Sequence, residues 1–180
     1  MMPGKVDKPT QNTALQGISE QENFMIKVLF ICHGNICRSP MAEYVFKDMV
    51  RKLHMEDRFI IESAATSREE IGNDVHRGTR RKLAEEGIAC PSRHARQVTK
   101  RDYESFDYML IMDENNRRNL MRILGGDPER KVHGMLDWAK RPRDIADPWY
   151  TGNFDITYDD IREGCETFLE HLKGTGELYI

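Results

Sequence analysis

Long apolar runs are missing from this 180-residue chain: none is long enough to cross a bilayer, and the amino end lacks a signal-peptide core. A cytoplasmic protein with no membrane partner is the resulting expectation. Cysteine is scarce too. The four thiols, Cys32, Cys37, Cys90 and Cys165, form no C-x2-C pair and no His/Cys cluster of zinc type, which argues against a structural metal. Strong bulk charge is also absent. The 27 basic side chains stand against 30 acidic ones, a net charge of −3, so charge gives no reason to expect nucleic acid as a partner. What is present, 39% hydrophobic and 32% charged residues, suits one soluble globular domain. Residues 1–24 are polar, carry Pro3, Gly4, Pro9 and Gly17, and show no apolar period. They read as a disordered or loosely packed extension ahead of a domain over 25–173 and a short tail over 174–180.

One stretch organises the rest. Val28 to Ile31 is a short apolar run that suits a strand covered on both faces. Ser39 can cap a helix and Pro40 suits its first turn. Ala42, Val45, Phe46, Met49, Val50 and Leu53 then recur at helical spacing. The loop from Cys32 to Arg38 therefore lies between a strand's carboxyl end and a helix's amino end, where free N–H groups and the helix dipole favour anions. It carries a cysteine, five residues, then an arginine. A thiolate is a strong nucleophile. Arginine's planar fork can hold two phosphate oxygens. Gly34 lets the backbone turn inward, Asn35 tolerates left-handed angles, and Ser39 can donate to the sulfur.

Residues 32–40, Cys-His-Gly-Asn-Ile-Cys-Arg-Ser-Pro, match C-x-G-N-I-C-R-S-P throughout. The chain here resembles the low-molecular-weight protein tyrosine phosphatases, and the resemblance covers about residues 26–173. It implies a phosphate cradle of His33, Gly34, Asn35, Ile36, Cys37 and Ser39, with Cys32 as nucleophile and Arg38 as phosphate ligand. Ser63, in Ser-Ala-Ala-Thr-Ser at the end of a second strand over 59–64, matches a serine that hydrogen-bonds the loop asparagine. Asp113 matches an aspartate that supports the phosphate loop, and it also reads as a plain helix cap. Asp147-Pro148-Trp149-Tyr150 matches the loop that supplies the general acid. A phenolate leaves poorly unless protonated, so Asp147 is the expected acid. Trp149 and Tyr150 are the expected aromatic wall for a phosphotyrosine ring.

Further elements follow in order. A charged helix over 76–86 ends at Gly87, and its Arg77, Arg80, Arg81 and Lys82 read as a solvated face. His94 receives a packing or loop-anchoring role rather than a catalytic one. Thr99 and Asp102 suggest a capping arrangement. A third strand is read over 106–112, a helix from Asp113 to Leu124 closed by Gly125-Gly126, and a fourth strand near 131–135. Tyr158, Ile161, Cys165, Phe168, Leu169 and Leu172 share one face of a last helix ended by Gly174. The fold class is α/β, an open four-stranded parallel sheet with helices on both faces. The resemblance implies the strand order 2-1-3-4.

The expected function is hydrolysis of phosphotyrosine in proteins, and of small aryl phosphates, through a phosphocysteine on Cys32. No cofactor and no metal are expected, because Arg38 and the loop amides neutralise the phosphate. The protein is expected as a monomer or weak dimer. Cys37 reads either as a packed small residue or as a reversible disulfide partner of Cys32. Arsenate reduction would need relay cysteines, for which Cys90 is a lone candidate. Phosphoarginine hydrolysis goes, in bacterial relatives, with threonine where this chain has Ile36. A silent phosphopeptide-binding module does not account for Cys32, Arg38 and Asp147 together. Relatives commonly place an aromatic residue after the position of Ser67, where this chain has Glu69, so a more open pocket is expected.

Overall fold

A computed structural model describes residues 24–179. The proposed extension over 1–24 lies outside them except for the exposed Phe24. Four strands, β1 (Ile26–Cys32), β2 (Phe59–Ala65), β3 (Tyr108–Ile111) and β4 (Val132–Gly134), pair in parallel in the order β2-β1-β3-β4. This is the order that the resemblance implies. Between and after them run α1 (Arg38–Lys52), α2 (Arg77–Glu85), α3 (Lys100–Ser105), α4 (Glu114–Leu124), α5 (Pro148–Thr151) and α6 (Phe154–Gly174).

The central strand explains the layering. β1 alternates its side chains between two apolar clusters. Val28, Phe30 and Cys32 join residues of α1, α2 and α6, whereas Leu29 and Ile31 join residues around α3 and α4. Both faces of the sheet are thus covered, as a continuous apolar strand requires. On the α1/α6 side Phe46 lies 5.9 Å from Phe30, 5.3 Å from Phe59 and 5.4 Å from Phe168, centroid to centroid. The predicted stripe of α6, Tyr158, Ile161, Cys165, Phe168, Leu169 and Leu172, is buried throughout.

One local expectation is corrected. Ser39 does not cap α1: Cys37 stands at the cap, without a side-chain cap bond, and Ser39 is the second helical residue. With no side chain capping the first turn, the Ser39 N–H is spent on Cys32 Sγ at 3.4 Å instead. Gly174 is the last residue of α6, as expected, and Gly176 beyond it takes the left-handed conformation (φ 78°). The residues past Gly174 also pack against the domain: Leu178 is buried, and the Tyr108 hydroxyl donates to Glu177 Oε1 at 2.6 Å.

Candidate active site

The end of β1 delivers Cys32 into a ring of hydrogen-bond donors. Its Sγ accepts from the backbone N–H groups of Asn35 (3.3 Å) and Ser39 (3.4 Å), and Ser39 Oγ lies 3.0 Å away. Ser39 Oγ itself accepts from Asn35 Nδ2 at 2.8 Å, which leaves the hydroxyl hydrogen free to point at the sulfur. Such a setting suits a thiolate, an acceptor with no proton of its own. Asn35 holds the loop in a left-handed turn (φ 58°). Its Nδ2 also donates to Ser63 Oγ at 2.9 Å, as the resemblance implies, and Ser63 donates onward to Glu43 Oε1 at 2.6 Å. Its Oδ1 accepts from Arg93 Nη1 (3.1 Å) and from the Arg96 N–H (3.2 Å), while Arg93 Nη2 also donates to the Asn35 carbonyl. No local sequence signal marks Glu43, Arg93 and Arg96 as members of this network. Their partners are far away along the chain.

Arg38 is 2% exposed and is held by two carboxylates from distant loops. Nη1 donates to Asp113 Oδ2 and to the Ile145 carbonyl, both at 2.7 Å, and Nη2 donates to Asp147 Oδ2 at 3.3 Å. Burial opposes the guanidinium charge, but Cys32, Asp113 and Asp147 outweigh it and raise the Arg38 pKa. The two readings of Asp113 hold together. Oδ1 caps α4 by accepting from the Asn116 N–H at 2.8 Å, and Oδ2 takes Arg38. Asp147 divides its oxygens likewise, with Oδ1 accepting the Trp149 N–H at 3.0 Å to start α5. The expected acid loop is therefore a cap and a single helical turn.

Around Cys32 and Arg38 the pocket has three walls: Ile36 on the phosphate loop, Glu69 with Glu70, and Trp149 with Tyr150. Ile36 packs with Cys37, Ala95 and Phe154. Gly34 and Cys37 also line the pocket, and His33 Nε2 lies 3.0 Å from Glu69 Oε2. Cys37 is 5% exposed, and burial, then the charges of Cys32 and Asp147, push its thiol up to about 12. It is protonated at neutral pH.

Other expected residues take supporting places. His94 Nδ1 pairs with the Gly72 carbonyl at 2.8 Å, a loop anchor outside the pocket. Thr99 and Asp102 form a full capping box on α3. On α2, Arg77 and Arg81 are exposed, but Arg80 pairs with Asp74 and Lys82 with Glu86 and Asp155, so half of that face ties α2 to its neighbours. His76 is a further residue that its sequence neighbours did not reveal. Its N–H donates to the Ile36 carbonyl at 2.9 Å, its Nδ1 caps α2, and its ring stacks on Phe154 and meets the edge of Trp149.

The family pattern described as low molecular weight phosphotyrosine protein phosphatase matches residues 27–177. This chain belongs to that family. It is similar to the low molecular weight protein-tyrosine-phosphatase YfkJ of Bacillus subtilis, at 39% identity over 86% of this chain and 100% of that protein. The crystal structure of YfkJ superposes with a TM-score of 0.80 over 84% of this chain and 96% of that one. The low molecular weight phosphotyrosine protein phosphatase of Gallus gallus is 42% identical over 79% of this chain and 93% of its own. A Drosophila arginine phosphatase structure matches at 30% identity, with a TM-score of 0.74 over 82% of this chain and 98% of that one.

Proposed function

We propose that this family member hydrolyses phosphotyrosine, in proteins and as small aryl phosphates, through a covalent intermediate on Cys32. The carrying observation is the donor ring around Cys32 Sγ beside a buried Arg38 that reaches both Asp113 and Asp147. In the first step the Cys32 thiolate forms an S–P bond as the bond from phosphorus to the tyrosine oxygen breaks. Asp147 gives its proton to the departing oxygen. In the second step water attacks phosphorus, Asp147 takes a proton from it, and the S–P bond breaks to restore the thiolate and release phosphate. Arg38 and backbone N–H groups of the loop from His33 to Arg38 meet the equatorial oxygens, whose spread charge is the largest electrostatic demand of the reaction. The reading needs no metal, because these donors supply the positive charge. Ile36, an apolar side chain on the pocket wall, favours a phenyl ring over a charged guanidinium leaving group.

Kinetics with two leaving groups test this reading. Cys32→Ser abolishes turnover of both phosphotyrosine and p-nitrophenyl phosphate. Asp147→Asn lowers kcat/KM for phosphotyrosine by roughly 100-fold or more, with a smaller loss for p-nitrophenyl phosphate, whose leaving group needs less protonation. Turnover persisting in Cys32→Ser, or equal losses on the two substrates in Asp147→Asn, would refute the assignment.

A further inference from the structure

Two successive carboxylates form one wall of the pocket, one paired with His33 of the phosphate loop and the other with its stem lying against Gly34. Glu69 Oε2 lies 3.0 Å from His33 Nε2. Glu70 runs its stem across Gly34, where a Cβ would stand 3.2 Å from Glu70 Cγ. The backbone leading to them is docked as well. The Thr66 N–H donates to the Cys32 carbonyl at 2.9 Å, the Ser67 N–H to the His33 carbonyl at 3.0 Å, and the Gly72 N–H to the Ala95 carbonyl at 2.9 Å. The Glu70 carboxylate accepts from Asn73 Nδ2 at 2.6 Å and makes no ion pair among the described residues. Across the pocket Trp149 is 56% exposed and Tyr150 82%.

This wall does nothing for a phosphate dianion, which it repels. Carboxylates and exposed aromatic faces, two independent features of the rim, are both complementary to a cation. We propose that Glu69 and Glu70, with Trp149 and Tyr150 opposite, select phosphotyrosine segments that carry arginine or lysine beside the phosphotyrosine. The proposal rests on the phosphatase reading above. Phosphate is taken at the floor by Arg38 and the loop amides, and the neighbouring side chain of the substrate is read at the rim. An acidic neighbour meets like charge there.

The test uses two phosphotyrosine peptides that differ only in having arginine or glutamate on both sides of the phosphotyrosine. In the parent at low salt, kcat/KM for the arginine-flanked peptide is about tenfold the higher, and the ratio shrinks as salt is added. In Glu69→Gln/Glu70→Gln the ratio falls toward one, and in Glu69→Lys/Glu70→Lys it inverts. Each ratio is taken within one protein, so a loss of folded fraction cancels. Equal rates in the parent, a preference for the glutamate-flanked peptide, or a ratio unchanged in both variants overturns the proposal and leaves the phosphatase reading standing. So does hydrolysis of p-nitrophenyl phosphate with neither peptide accepted. A parent inactive on all three substrates overturns that reading and the proposal with it.

Discussion

Asn35 uses both hydrogens of its amide and both acceptor positions of its carbonyl side-chain oxygen within the protein, and that fixes a left-handed turn beside Cys32. The residues that act within the loop were legible in the sequence because their partners are near in the chain: Ser39 is seven residues from Cys32. Arg93 was not, because 58 residues separate it from Asn35 and only the fold brings the two together. Asp113 is the residue whose two roles can be separated. In Asp113→Asn one oxygen can still cap α4, which leaves an NH2 group facing Arg38 Nη1. A lost charge-assisted bond to a buried cation costs about 1.5–3 kcal/mol. Asp113→Asn should therefore lower kcat/KM by roughly tenfold to a hundredfold while the melting temperature changes little. Steady-state kinetics beside a thermal melt checks this, and an unchanged kcat/KM would show that Arg38 does not depend on Asp113.

At the scale of elements, periodicity located both long helices and the central strand, since their apolar spacing is strong enough to stand alone. It misjudged the ends. Ser39 and Pro40 have good capping chemistry, yet α1 begins two residues earlier, with Cys37 rather than Ser39 at the cap, because the Ser39 hydroxyl is engaged by Cys32 and Asn35. The short β4 and the single turn of α5 have too few residues to show a period. One glycine within α6 has a reason that only the packing reveals. A Cβ on Gly164 would meet the Met135 carbonyl oxygen and Cγ at 2.8 Å, after β4. The carbonyl is backbone and cannot swing aside, so Gly164→Ala must shift α6 outward. Helix propensity alone would make this change stabilising by up to ~1 kcal/mol. Overpacking of about 1–3 kcal/mol wins instead. Chemical denaturation should show a net loss of stability in Gly164→Ala, and a gain would mean that α6 does not press on Met135.

Over the whole molecule, the parallel sheet gathers residues from far along the chain at the carboxyl ends of its strands. Cys32 closes β1, Ser63 lies near the end of β2, Asp113 follows β3, and Asp147 comes from beyond β4. The same close packing carries a cost in acid. His76, against Phe154 and Trp149, and His133, against Tyr108 and Trp138, both have a pKa lowered from the ordinary 6.5, chiefly by burial. Between that lowered value and 6.5 the unfolded chain binds more protons than the folded one, so stability rises with pH there. It is fully present above about pH 6.5 and is lost as pH falls through the folded values. Asp48 and Asp127, held below the usual carboxylate range by Lys52 and Arg51 and by Tyr103 and backbone N–H groups, lose their share only at lower pH, below about 4. The melting temperature should thus be flat from pH 8 to 7, decline by a few degrees toward pH 5, and fall again below pH 4. Replacing both histidines, His76→Phe/His133→Phe, should flatten the first decline and leave the second. A first decline of equal size in the double variant would assign the acid sensitivity to other groups.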